Sequence, residues 1–186
     1  MTPLMSLWLP LVVASVLVFI VSSLVHMVLP WHKGDYPQLP REQEFRDAIR
    51  PLALPPGDYM VPRANSMEEM KSDAFQAKFA EGPVVIMTVL PNAWTGMGRS
   101  LTLWFVYILV VCFFGAYIAG RALPPGTDYP QVFRFIGAST FLGFAAALWQ
   151  MTIWYRRGVG LTLRSTIDGL IYALVAAGAF GWLWPR

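Results

Sequence analysis

The sequence predicts an all-α membrane protein, with four transmembrane helices and a small mixed α/β extramembrane cap between the first and second. Three observations lead there. Of the 186 residues 56% are hydrophobic and only 13% are charged, about half the ~25% charge of an ordinary soluble domain. Four apolar runs are long enough to cross a bilayer, and the charges collect between the first two: residues 31–100 hold eight of the fourteen Lys and Arg and nine of the eleven Asp and Glu. With a net charge of only +3 and no basic stripe, the chain offers nothing suited to nucleic acid.

The first span occupies residues 1–30. From Leu7 to Leu29 the only ionisable side chain is His26, and about 34 Å of helix is enough for a hydrocarbon core of roughly 30 Å. No Lys or Arg precedes the run, and it exceeds the roughly 7–15 apolar residues of a signal peptide. A retained anchor is therefore expected.

Residues 31–100 read as water-exposed chain. Pro40 opens a short helix over Arg41 to Arg50. Ser66-Met67-Glu68-Glu69 has the form of a capping box, which predicts a helix running to about Ala80. Val84 to Leu90 is too short to span and rich in β-branched residues, so it reads as a strand, with Asp58 to Val61 as its partner.

Residues 101–186 form a three-helix bundle with spans over about 101–119, 132–154 and 166–184. The Pro124-Pro125-Gly126 turn and the Arg156-Arg157-Gly158 link separate them. Connections this short place consecutive helices side by side. Trp8, Trp31, Trp94, Trp104, Trp149, Trp154, Trp182 and Trp184 mostly fall near span ends, the headgroup level where indole rings collect. Within lipid no hydrophobic force drives one helix onto another, and small residues four apart permit the close approach that does. Gly169, Ala173, Ala177 and Gly181 form such a ridge on the fourth span. Gly115 and Ala119 on the second span, and Gly143 and Ala147 on the third, offer notches for it. Leu at Ala177 should loosen the bundle, and Leu at Ala176, about 100° round the helix, should be milder.

The chain resembles a family of small bacterial integral membrane proteins with no assigned activity. The resemblance rests on Val25-His26-Met27-Val28-Leu29-Pro30-Trp31-His32-Lys33-Gly34-Asp35-Tyr36, on Ala119-Gly120-Arg121-Ala122-Leu123-Pro124-Pro125-Gly126, and on Asp168-Gly169-Leu170-Ile171-Tyr172-Ala173-Leu174 with Gly181-Trp182-Leu183-Trp184-Pro185. It covers the chain nearly end to end and implies a bacterial cytoplasmic membrane.

Chemistry has few places to sit. His26, His32 and Asp35 cluster where the first span ends, and imidazole with carboxylate suits a transition metal. On a continuous helix the two histidines would lie about 240° apart, so the site requires the chain to turn back at Pro30. The plainer alternative is a pair of interfacial histidines bonded to backbone or headgroups. Asp168 and Gln150 are the intramembrane polar candidates. For Asp168 the plainer alternative is a helix start, with Ser165 as cap and the carboxylate favoured by the helix dipole. If Asp168 is functional, its expected partners are Arg164, Arg157 or Gln150. Arg121 and Arg134 with Asp128 read as a solvated ion pair at the second loop.

No stretch carries a catalytic, nucleotide-binding or strong metal signature. The leading expectation is a non-enzymatic accessory, assembly or scaffold subunit that meets the lipid bilayer and a protein partner, or a second copy, through its helices. The alternatives are a small transporter or channel, for which mid-span Ser139, Thr140 and Gln150 are the polar candidates, and a metal-dependent membrane protein using His26, His32 and Asp35. Counting Lys33, Arg41, Arg99, Arg156, Arg157 and Arg164 against Arg121, Arg134 and Arg186, the positive-inside rule puts the cap in the cytoplasm and both termini outside.

Overall fold

The computed structural model describes residues 1–93 and 96–186; Trp94, assigned from sequence to a span end, lies outside them. Its helices follow the apolar runs. A 3₁₀ turn at Leu4–Leu7 leads into α1 (Trp8–Met27), α5 spans Gly98–Ala122, α6 spans Tyr129–Ala145, α7 spans Trp149–Tyr155 and α8 spans Val159–Trp182. With α6 and α7 taken as one interrupted run, this makes four helical segments among the described residues long and apolar enough to cross a membrane.

Between α1 and α5, residues Gln38–Thr95 form a unit of their own. It holds α2 (Glu42–Ile49), β1 (Gly57–Val61), α3 (Met67–Lys71), α4 (Asp73–Glu81) and β2 (Val85–Val89). The strands pair antiparallel with Tyr59 opposite Met87, matching the partner expected for the Val84–Leu90 run. The helix expected from Ser66 to Ala80 is broken in two. Ser66 accepts from the Glu69 amide at 3.0 Å, but the Glu69 carboxylate accepts from the Asn65 amide rather than the Ser66 amide. Ser72 then turns extended and caps α4 by accepting from the Phe75 amide.

The second unit is Met1–Pro37 with Gly96–Arg186. The cap expected at 31–100 is therefore too generous at both ends, and residues 31–37 belong with the helical bundle. Inside that bundle α8 is central, packed against α6 and α1, while α5 packs against α6 and α1. The ridge on α8 faces α6. A methyl group at Gly169 would come within 2.8 Å of the Ala145 Cβ, one at Gly181 within 2.7 Å of the Tyr129 ring, and Ala177 lies against Gly137. The notches differ from those expected. Gly115 meets Thr140 and Gly143 meets Val111, so both serve the α5–α6 contact, while Ala119 is buried in the core and Ala147 is exposed. Ala176 is as fully buried as Ala177, because α8 is covered on two sides and the neighbouring flank also meets a helix. The expectation of a milder substitution there is corrected.

Two further boundaries shift. The third span is interrupted by a 3₁₀ turn at Ala146–Leu148. Carbonyls in the last turn of a helix lack intrahelical partners, and the Tyr107 hydroxyl donates to one of them, Gly143 O, at 2.6 Å. The fourth helix begins at Val159, with Gly158 at its N-cap, seven residues before the expected start at 166. Ser165 is thus no cap, and Asp168 stands in the third turn, where the terminal dipole no longer accounts for it.

At the opposite end of the bundle the Thr2 amide and hydroxyl donate to Gly120 O and Leu123 O, and the Trp184 indole donates to Pro124 O. Among the described residues Asp128 forms no ion pair with Arg121 or Arg134. Asp128 instead sits at the N-cap position of α6.

Overpacking a close helix contact costs about 1–3 kcal/mol. Ala177→Leu and Ala176→Leu should each lower the thermal midpoint of the detergent-solubilised protein, whereas Leu174→Ala, on an exposed flank, should leave it nearly unchanged. Equal tolerance of all three would place the α8 ridge outside the bundle contact.

Candidate metal centre

The site begins with the end of α1. Ser22 and His26 are four residues apart and share one flank of the helix. Helix α1 stops at Met27, Leu29 is extended, and a 3₁₀ turn at Pro30–His32 reverses the chain. Proline cannot donate to a continuing helix and disfavours helical backbone just before it. The reversal stacks the His32 ring on the His26 ring, with centroids 4.5 Å apart and planes 14° from parallel. The 240° separation on a continuous helix is thereby removed.

Two arginines hold this turn. Arg164, on α8, donates through Nε to Asp35 Oδ1 at 2.8 Å and pairs with the same oxygen through Nη2. Arg157 donates to the Tyr36 hydroxyl at 3.0 Å. The other Asp35 oxygen, Oδ2, lies 2.6 Å from His32 Nδ1. The hydrogen bond from His32, reinforced by the Arg164 charge, holds the Asp35 carboxyl below its ordinary 3.8 despite the opposing effect of burial.

On its other edge His32 faces Asp168. Nε2 lies 2.9 Å from Asp168 Oδ2, yet the pair is not aligned as a hydrogen bond, and both His32 Nε2 and Asp168 Oδ1 are buried without a hydrogen-bond partner among the described residues. A carboxylate on Nδ1 fixes the proton there and leaves the Nε2 lone pair exposed. Two acceptors then face each other at 2.9 Å. Such a contact requires a cation between them, a proton or a metal ion.

His26 completes the arrangement. Its Nδ1 lies 3.1 Å from Ser22 O and 3.4 Å from the Tyr172 hydroxyl. With the proton donated to Ser22 O, Nε2 is left with its lone pair. One ligand atom each from His26, His32 and Asp168 lie within 4.8 Å of one another. Asp168 is buried, His32 half-buried and His26 exposed.

Of the expected metal set, His26 and His32 come together, but Asp35 stands behind His32 as its hydrogen-bond acceptor, and the carboxylate that joins the two histidines is that of Asp168. Asp168 does not meet Arg164, Arg157 or Gln150: both arginines are engaged by the turn, and Gln150 is exposed on α7. Sequence reasoning missed Tyr172, Ser22 and Trp104. The signal available was the four-residue step, since Ser22 precedes His26 and Tyr172 follows Asp168 by that interval.

A cavity of about 810 Å³ opens beside the cluster. Its walls are apolar, with Trp104, Tyr107, Phe144 and Leu148 prominent, and His26, Asp168 and Tyr172 stand at its polar end. Trp104 is fixed there by donating its indole N–H to Ser22 Oγ at 2.9 Å. Comparison with known protein families, curated proteins and solved structures finds no match.

A carboxyl depressed in the folded state stabilises it above its ordinary value, and that contribution is lost as pH falls through the lowered folded value. Asp35→Asn should therefore lower the thermal midpoint at pH 7, with the gap to wild type closing as pH drops below 3.8. A gap that persists unchanged in acid would detach Asp35 from the arginine and histidine assigned to it.

Proposed function

We propose that the protein is integral to a membrane and binds a divalent transition metal through His26, His32 and Asp168. The observation that carries this reading is the unaligned 2.9 Å contact between His32 Nε2 and Asp168 Oδ2. Two imidazoles and a carboxylate suit zinc or iron, and three protein ligands leave a position open for water or substrate. Ligands at 2.0–2.1 Å in a tetrahedron stand about 3.3 Å apart. A cluster within 4.8 Å closes to that spacing by a modest swing of the exposed His26 ring. Asp35 on His32 Nδ1 is the outer partner that orients a metal-binding imidazole.

The accessory or scaffold role expected from sequence rested on helix-packing signals, the small-residue ridge of α8 among them, with residues 31–100 as the docking surface. That ridge is taken up by α6 within the chain, so a partner or second copy would need another face. A transporter reading finds little support: Ser139 and Thr140 bond to carbonyls of their own helix. The metal site lies where α1 ends and α5 begins. On the positive-inside count this end faces the cytoplasm, in a bacterial inner membrane with both termini outside. A C-terminal reporter active only in the cytoplasm should stay silent, and a strong signal from it would reverse the orientation.

Protein purified without chelator should carry close to one metal per chain by elemental analysis. His26→Ala, His32→Ala and Asp168→Asn should each abolish that stoichiometry, whereas Asp35→Asn should weaken affinity by about 10–100-fold, as loss of an outer partner does. Wild-type protein that stays metal-free after exposure to Zn(II) would end the proposal.

A further inference from the structure

The cavity beside the cluster has the chemistry of a lipid-binding site with one polar end. Its volume of about 810 Å³ falls in the ordinary range of roughly 300–1,000 Å³ for small-molecule sites. Exposed Met27, Leu103 and Tyr107 line it, so it opens sideways on a flank that lies at bilayer depth when the helices span. Such an opening admits an apolar chain from the surrounding lipid. Among the described residues no Lys or Arg lines the cavity, so by itself it offers no positive charge to a negatively charged head.

The metal reading changes that balance, and the inference rests on it. A divalent ion adds two positive charges, Asp168 removes one, neutral imidazoles remove none, and the Asp35–Arg164 pair is already balanced. One uncompensated positive charge remains at the end of an apolar chamber, where unpaired charge is costly. One coordination position also remains open. A single monoanionic oxygen donor satisfies both. The exposed edge of His26 faces the cavity, so the donor arrives from the side where the chain lies.

We propose that the cavity binds a single-chain amphiphile with a carboxylate head, a free fatty acid, whose carboxylate takes the open position on the metal and whose chain lies between Trp104, Tyr107, Phe144 and Leu148. The Tyr172 hydroxyl lines the same cavity and lies 3.4 Å from His26 Nδ1, at the end where the head would sit. Selection is by head as well as chain, because a neutral head leaves the charge uncompensated.

The test is native mass spectrometry of the full chain, released from detergent after loading with Zn(II), with palmitic acid as probe and hexadecanol as the uncharged comparator of equal chain length. Palmitate should bind one per chain, about tenfold or more tighter than hexadecanol, a preference of at least ~1.4 kcal/mol. Chelation of the metal should erase the preference. Leu148→Trp, which fills the chamber, should reduce palmitate binding with zinc retained. Should that variant fail to fold, Leu103→Trp at the mouth replaces it with the same expectation. Zinc bound with palmitate no better than hexadecanol would overturn this inference and leave the metal site standing. Palmitate retained equally after chelation would overturn the coordination of its head. Failure to bind zinc at all would overturn both readings together.

Discussion

Asp35 bridges two elements that the sequence keeps 129 residues apart, and the cluster depends on that bridge. One carboxylate oxygen is held by Arg164 of α8, the other by Nδ1 of His32. The first contact ties the turn after α1 to the start of α8. The second fixes which ring nitrogen of His32 carries the proton, and so turns the free Nε2 toward Asp168. A charge-assisted pair that is 10% exposed on the Asp35 side is also screened much less by salt than a surface pair. Position and protonation therefore follow from a single residue outside the cluster of His26, His32 and Asp168.

The bridge would place nothing useful if α8 were free to slide or rotate. Its register is set by the seam with α6, where Gly169 comes so close to Ala145 that a single methyl would force a shift. Gly169 adjoins Asp168, so this close approach in the seam is one residue from the buried carboxylate. The same stretch of the third span then breaks into a 3₁₀ turn, and Phe144 just before that turn and Leu148 at its end line the cavity. Tyr107 holds the break by donating to Gly143 O, and lines the cavity too. Helix packing, cavity and cluster are thus consequences of one arrangement of α1, α5, α6 and α8.

Much of the architecture was legible because bilayer-length apolar runs and Pro-Gly turns are local signals. The four long helical segments, the strand pair and the short helix near Arg41 were read from such signals. The errors came where a local rule met a longer-range one. Ser165-Thr166-Ile167-Asp168 looks like a helix start, but Gly158 supplies the break and the helix runs through it. Ser72 caps a second helix within a stretch that periodicity treats as one. The meeting of the two histidines was legible, because Pro30 announces a turn, and the acid that joins them was not. Whether Asp35 or Asp168 meets the histidines depends on the packing of α8 against α1, which no spacing within either helix encodes.

Whether His26, His32 and Asp168 share one metal ion is read by X-ray absorption at the metal edge of zinc-loaded protein. A shared ion gives a first shell of two imidazole nitrogens at about 2.0–2.1 Å with oxygen ligands at about 2.0–2.2 Å, and loss of one imidazole from that shell in a His26→Gln variant. A shell of oxygens alone, or an imidazole count that His26→Gln and His32→Gln leave unchanged, would contradict it.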